Sequence, residues 1–344
     1  MRIKVLVVDD SALIRQILCE IIRADPALLL VGSAPDAHVA KRLVKEFCPD
    51  VIVLDIEMPK IDGLRFLEVM MKAMPTPVIM ISSLSKQKAD SILRALELGA
   101  VDYMAKPKLG ISSGEAEYSK ILIQKLKAAA CSTFSSPTSA RECQHAELRI
   151  SNSKIVIGIG ASTGGAEAIK DVIMHFPRNA PATVISLHMP PGFTTSYAQR
   201  LNQLCEITVR EATGDEKLLP GHAYLAPGNR HLIVNKRAGN YYLQLDDGPK
   251  VTGHKPSVDV MFSSLATHVK KHAVGVLLTG MGKDGAKGML EMKLAGAINF
   301  CQDEDSSLIY GMPRVATEMG AATYVESLND MSDAILDTIE AMNS

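Results

Sequence analysis

KIVIGIGASTGG, residues 154–165, passes within one short stretch from β-branched apolar side chains (Ile155, Val156, Ile157, Ile159) to small ones. The following AEAIKDVIMHF, residues 166–176, has its apolar positions at helical spacing. The spacing predicts strand, tight turn, helix. Ser162 falls at the turn with Gly160 two before it and Gly164 two after, a G-x-S-x-G pattern. Such glycines let the chain turn sharply and keep the space above the hydroxyl open. The start of the next helix aims free N–H groups and a partial positive charge at whatever the hydroxyl attacks. Gly158, Gly160 and Gly164 equally suit a phosphate-binding turn, a loosened dinucleotide fingerprint. On its own, the stretch does not separate a nucleophile from an anion cradle.

Working outward toward the C-terminus, strands and helices continue to alternate. TVISLHM (183–189), AVGVLLTGM (273–281), AINFCQD (297–303) and TYVESL (323–328) read as strands. Helical patterns stand between them, and a β-rich section covers 207–247. This order predicts a parallel α/β sheet carrying a small antiparallel insertion. A serine nucleophile needs a base and an orienting group, both at strand ends of the same sheet. His188 closes a predicted central strand, just before Pro190, Pro191 and Gly192. Asp284 follows AVGVLLTGMGK in the same manner, among Gly280, Gly282 and Gly285. Singly, His188 reads as a strand-end histidine and Asp284 as a helix cap. Together with Ser162 they put three chemically matched groups on one sheet edge. The order Ser, His, Asp differs from the Ser, Asp/Glu, His order of α/β-hydrolases, so that fold is not carried over. His231 and His254, in and after the β-rich section, are expected to line a substrate cleft.

Toward the N-terminus, IKVLVVDD, LLLVGSA, DVIVLDI, PVIMISS and AVDYMAKP read as strands separated by helical segments. Strict alternation predicts a doubly wound parallel sheet with its ligand crevice beyond the strands' carboxyl ends. Asp9 and Asp10 close the first strand, Asp55 the third and Ser82 the fourth, and Lys106 follows the fifth. Three carboxylates converging on one crevice call for a cation, and oxygen ligands suit Mg²⁺. A lysine and a hydroxyl beside them suit a phosphoryl group. Helix capping could account for Asp9 and Asp10. It leaves Asp55 and Lys106 unexplained.

The 344-residue length predicts two domains, with a serine-, threonine- and alanine-rich tether at 128–152 dividing 1–127 from 153–344. No apolar run approaches the ~20 residues of a membrane span, so no membrane insertion is expected. Val8 is followed directly by Asp9 and Asp10, too early for a signal peptide, so the expected location is cytoplasmic. The six cysteines include no C-x-x-C pair and are expected as reduced thiols without a metal. Net charge is −1 with no long basic run, which speaks against nucleic acid as a partner. A DNA-binding output domain would show a basic recognition helix. A nucleotide enzyme would place an acid at the end of its second strand, where His188 stands.

Residues 1–127 resemble the response-regulator receiver family, on Asp9–Asp10, Asp55 in LDIEMPKIDG, Ser82, Tyr103, and Lys106 before Pro107. The resemblance implies that Asp55 accepts phosphate from a chemotaxis histidine kinase. It also implies Mg²⁺ held by Asp10, Asp55 and the main-chain carbonyl of Glu57, with Asp9 acting behind them or through water. Ser82 and Tyr103 then respond to the phosphate and Lys106 pairs with it. From residue 153 onward, GIGASTGG, HMPPGFT, LAPG with HL, HKPSVDVMF and LTGMGKDGAKG resemble the chemotaxis protein-glutamate methylesterase family. That resemblance implies a triad of Ser162, His188 and Asp284, and oxyanion donors on the backbone near Thr163 and Met281. The implied activity is phosphorylation-activated hydrolysis of glutamate 5-methyl esters, and deamidation of glutamines, on methyl-accepting chemotaxis receptors during sensory adaptation. No cofactor is implied for the ester step. Leu187 departs from the family, where a glutamine often precedes the histidine, and puts one neighbouring hydrogen bond in question. The expected fold is two doubly wound parallel-sheet α/β domains: a flavodoxin-like receiver, then a Rossmann-like esterase with a small antiparallel insertion.

Overall fold

A computed structural model describes residues 2–58, 61–83, 89–107, 115–132 and 154–343. The chain forms two compact units, Met1–Phe134 and Ser135–Ser344. Most of the expected tether lies outside the described residues. Its first residues continue a helix that ends at Ala130. No helix among the described residues is long and apolar enough to cross a membrane.

The first unit alternates throughout. It runs β1 (Ile3–Val8), α1 (Ala12–Ala24), β2 (Leu28–Ala34), α2 (Ala37–Phe47), β3 (Val51–Asp55) and α3 (Gly63–Ala73). It continues with β4 (Val78–Ser82), α4 (Ala89–Glu97), β5 (Asp102–Ala105) and α5 (Glu115–Ala130). The strands pair in the order β2-β1-β3-β4-β5, every pair parallel. Because helices cover both faces, the central strands are uninterrupted apolar runs: Val5–Val8, Val51–Leu54 and Val78–Ile81 are fully buried. Polar side chains start the helices. Ser11 accepts from the Ile14 N–H, Asp36 from His38 and Val39, and Asp62 from Arg65. The strand order reverses between β1 and β3, so their carboxyl ends open the crevice.

The second unit begins with β6 (Val156–Ala161), α6 (Gly165–Ile173), β7 (Ala182–Leu187), α7 (Phe193–Leu204), β8 (Thr208–Glu211) and β9 (His222–Leu225). Next come the strands β10 (His231–Arg237) and β11 (Asn240–Asp246), then α8 (Val258–His268), β12 (Ala273–Leu277) and α9 (Ala286–Leu294). It ends with β13 (Ile298–Gln302), α10 (Met312–Glu318), β14 (Tyr324–Glu326) and α11 (Leu328–Asn343). The sheet order is β14-β13-β12-β6-β7-β9-β8, all parallel. The antiparallel insertion is the hairpin β10–β11 alone, closed by Ala238 and Gly239 at φ 47° and 81°. The first half of the β-rich section, β8 and β9, instead extends the parallel sheet. Its connection is too long for a tight hairpin and is itself held along β11, with Asp215 N–H bonded to the Leu243 carbonyl and Leu218 N–H to that of Tyr241. It therefore returns the chain to the same end of the sheet before β9 begins.

The strand order turns back at β6, with β7 on one side and β12 on the other. Their carboxyl ends are adjacent, and each leads through a left-handed glycine, Gly164, Gly192 or Gly285, directly into a helix. The sheet geometry thus gathers three loops at one edge.

Candidate active site and phosphoacceptor site

Ser162, His188 and Asp284 leave the ends of β6, β7 and β12 and form one connected array. His188 Nε2 lies 2.8 Å from Asp284 Oδ2, and His188 Nδ1 lies 3.0 Å from Ser162 Oγ. An ionised carboxylate only accepts, so Nε2 carries the ring proton. Nδ1 is then the acceptor for the Ser162 hydroxyl. The two nitrogens exchange the places they hold in the serine-protease triad, with the same chemical logic. Pro190 and Pro191 end the strand behind His188, as expected from the sequence.

Asp284 is 1% exposed and every direction around it is occupied. Oδ1 accepts from Thr252 Oγ1 and Ser257 Oγ, both at 2.7 Å, and from the Asp259 N–H at 3.2 Å. Oδ2 also accepts from the Val258 N–H at 2.7 Å. The carboxylate thus sits on the N-terminus of α8, where the helix dipole favours a negative charge. Burial opposes ionisation of Asp284, but the bonds from His188, Thr252 and Ser257 and the His188 charge outweigh it. They hold the carboxyl below its ordinary range. In return Asp259, the second residue of α8, accepts from the Gly288 N–H in the first turn of α9 at 2.8 Å. Burial, with the Asp284 charge adding to it, pushes Asp259 up to about 6. Sequence reasoning missed Thr252, Ser257 and Asp259. The turn dipeptide Thr252-Gly253 and the helix-starting pattern Ser257–Asp259 are the signals that mark them.

The glycines of the opening stretch now have separate reasons. A Cβ at Gly158 would stand 2.4 Å from Leu265 Cδ1, and one at Gly160 would stand 2.2 Å from Val258 Cγ1. Both exist so that α8 can lie on β6. Gly164 has φ +78° and makes the turn into α6. The phosphate-cradle reading loses its support, because two of its three glycines face a packed helix.

The loop after β12 lies against Ser162: a Cβ at Gly280 would be 2.8 Å from Ser162 Cβ. Met281 is the next residue, and Thr163, buried, follows Ser162 directly. Leu187 is buried, with its Cδ1 only 3.0 Å from where a Cβ would stand at Gly165, so an apolar side chain packs at the position where the family often carries glutamine. The two other histidines part company. His231 is 1% exposed and lines no cleft: Nε2 donates to the Pro249 carbonyl at 2.9 Å and Nδ1 accepts from the Ser257 N–H at 3.1 Å. His254 is half-buried and stacks on His188.

In the first unit, Asp9, Asp10 and Asp55 converge, with one carboxylate oxygen from each lying within 4.8 Å of the others. Asp9 and Asp55 are buried and Asp10 is exposed. Lys106 Nζ reaches Asp55 Oδ2 at 2.6 Å and Asp9 Oδ2 at 3.1 Å. Burial pushes Asp55 up to about 6 against the Lys106 hydrogen bond, and the Asp9 charge adds to the rise. Burial opposes the charge on Lys106, yet the Asp55 hydrogen bond and the two carboxylate charges raise its pKa. Asp55 Oδ1 is buried without a hydrogen-bond partner. Three converging carboxylates with a single ammonium, which pairs with Asp9 and Asp55, and a buried oxygen of Asp55 without a partner make a donor set that fits a divalent oxygen-seeking cation. A cavity lined by Asp10, Glu57, Met58 and Ser91 among others opens beside it. Ser82 is buried at the end of β4. Tyr103 lies on β5, its phenol pushed well above the ordinary value by burial and by Asp102.

Fold and sites together define a two-domain α/β protein of response-regulator type, whose second domain carries a serine–histidine–aspartate array at its strand ends. Comparison with known proteins narrows this. The profile of the family described as CheB methylesterase matches residues 157–335, and that of the response regulator receiver domain matches residues 5–110. A protein-glutamate methylesterase/protein-glutamine glutaminase of Methylobacillus flagellatus is 51% identical, the match covering 99% of this chain and 98% of that protein. One bearing the same name in Salmonella typhimurium is 49% identical over 99% of this chain and 98% of that protein. The crystal structure of the Thermotoga maritima CheB methylesterase catalytic domain is 36% identical with a TM-score of 0.53, covering 54% of this chain and 98% of that one. The chain belongs to the CheB methylesterase family and carries a response-regulator receiver domain in front of the methylesterase domain.

Proposed function

We propose that this protein is a protein-glutamate methylesterase and protein-glutamine glutaminase acting on chemoreceptors, with Ser162 as nucleophile. The observation that carries this reading is the unbroken hydrogen-bonded line from Ser162 through His188 to the buried Asp284 carboxylate. Ser162 Oγ attacks the carbonyl carbon of a glutamyl methyl ester as its proton passes to His188 Nδ1. Asp284 holds the ring in the Nε2–H tautomer and stabilises the imidazolium that forms. Backbone N–H groups near Thr163 and Met281 receive the oxyanion, and the start of α6 adds its dipole. The His188 proton leaves with methanol. Water, giving a proton to the same nitrogen, then attacks the acyl-enzyme and frees glutamate and Ser162. With glutamine the leaving group is ammonia and the steps are otherwise the same.

Asp55 is the phosphoacceptor, taking phosphate from a chemotaxis histidine kinase. Asp10, Asp55 and the main-chain carbonyl of Glu57 would hold Mg²⁺, which supplies charge neutralisation for an incoming phosphoryl group. Asp9 supports them from behind. Lys106 pairs with the phosphate, and Ser82 and Tyr103 respond to it. The phosphorylated receiver then raises the esterase rate through a shift in its conformational population.

Labelling with a fluorophosphonate tests the nucleophile. The intact chain should be labelled on the tryptic peptide Ile155–Lys170, and His188→Ala should suppress that labelling by removing the base. Equal labelling of a Ser162→Ala chain, or labelling indifferent to His188, would assign the nucleophile elsewhere.

A further inference from the structure

One side chain touching the array has no part in the reaction as proposed. The His254 ring lies face to face with His188, centroids 3.7 Å apart and planes 2° from parallel. The segment that delivers it is fixed at several points. Val251 and His254 exchange backbone hydrogen bonds of 3.0 and 2.9 Å around a two-residue turn. Thr252 and Gly253, at φ 52° and 88°, both adopt the left-handed conformation such a turn requires. That conformation costs a β-branched residue energy, and Thr252 spends it at a place where its hydroxyl reaches Asp284. His231, in β10, ties both ends of the segment, bonding to Pro249 on one side and Ser257 on the other. One short segment therefore touches two members of the array.

We propose that His254 is a positioning residue for the acyl transfer, its ring holding the His188 imidazole in the plane that joins Ser162 to Asp284. This rests on the triad reading above. The bond at Cγ and the hydrogen bonds at Nδ1 and Nε2 set the plane of the His188 ring, but hydrogen bonds resist small tilts of that plane only weakly. A flat neighbour at van der Waals distance opposes those tilts. The same neighbour presents a π face to the imidazolium when His188 is protonated.

The test uses the full chain and methanol release from methylated receptor membranes, with kcat and KM measured separately. His254→Ala should lower kcat about 10- to 100-fold at unchanged KM, the size of effect that small misplacement of a catalytic group produces. His254→Phe, which restores a flat ring, should recover most of the loss. The downfield proton resonance of His188 Nε2–H, assigned by its absence in His188→Ala, should broaden in the alanine variant and persist in the phenylalanine one. Should the alanine variant not fold, His254→Gln takes its place, keeping bulk without a ring. Parental kcat in a folded alanine or glutamine variant overturns the proposal, as does a phenylalanine variant no faster than them. Turnover surviving in Ser162→Ala would strike the triad itself, which separates the two failures.

Discussion

Asp284 and Asp259 are neighbouring buried carboxyls that the fold treats in opposite ways. Asp284 gathers donors on both oxygens and is held ionised. Asp259 lies beside that charge and is raised to about 6, with burial as the larger cause. A carboxyl with a raised folded-state value stabilises the protein fully below its unfolded value of 3.8, and that contribution is lost as pH rises through about 6. Asp259→Asn keeps an oxygen for the Gly288 N–H and removes the titration. Its stability relative to the parent should therefore improve between about pH 4 and 6.5 and level off above, by on the order of 1–3 kcal/mol. Asp284 is ionised throughout that window in both proteins. Thermal unfolding of the two across it is the check, and a flat difference would mean that Asp259 bears no raised value. The meeting of Ser162, His188 and Asp284 was legible because Ser162 and His188 directly follow strands and Asp284 lies in the loop after one, and strand-to-helix junctions can be found from pattern. Turn and helix-start signals mark Thr252, Ser257 and Asp259, but their meeting with Asp284 depends on packing between segments far apart in the chain, which no local pattern encodes. Nor could the sequence tell Gly158 and Gly160 as seats for a helix from glycines that cradle phosphate.

The helices α8 and α9 exchange caps. Asp284, just before α9, covers the first N–H groups of α8, and Asp259 in α8 covers that of Gly288 in α9. The exchange needs the two helices in close contact, and Gly288 provides it. A Cβ there would stand 2.7 Å from the Asp259 carbonyl oxygen and 2.8 Å from Phe262 Cβ. Gly288→Ala, a favourable change in an isolated helix, should here cost about 1–3 kcal/mol by overpacking. It should also lower kcat, because Asp284 moves with the helix ends. Melting temperature and turnover of the variant check both, and a variant as stable and as fast as the parent would show that the contact does not position Asp284. At this scale the sequence was informative about what each element is and less so about its neighbours. Apolar runs gave β8 and β9 as strands. Their place in the parallel sheet depends on the connector lying along β11, a contact between segments far apart in the chain.

Across the whole chain, two units of related architecture hold different chemistry at the same structural place, the carboxyl edge beside the strand-order reversal. That the chain forms two units was legible from the restart of β/α alternation at 154, whereas most of the tether expected at 128–152 lies outside the described residues. In the first unit two buried carboxylates and an exposed one converge, and a single lysine pairs with the two buried ones. Mg²⁺ should relieve that imbalance, raising the melting transition of this unit in the full chain with the concentration dependence of a ligand bound by the folded state. Asp55→Ala should abolish the rise. An equal rise in the variant would put the cation elsewhere. In the proposed function phosphate at Asp55 governs a reaction at Ser162, and methanol release from methylated receptor membranes, with and without acetyl phosphate and Mg²⁺, tests this most directly. The parent should accelerate with the phosphodonor, Asp55→Asn should stay at its basal rate under both conditions, and Ser162→Ala should fall to background under both. Methanol release by a folded Ser162→Ala protein at the parental rate, or acceleration of Asp55→Asn by the phosphodonor, would contradict it.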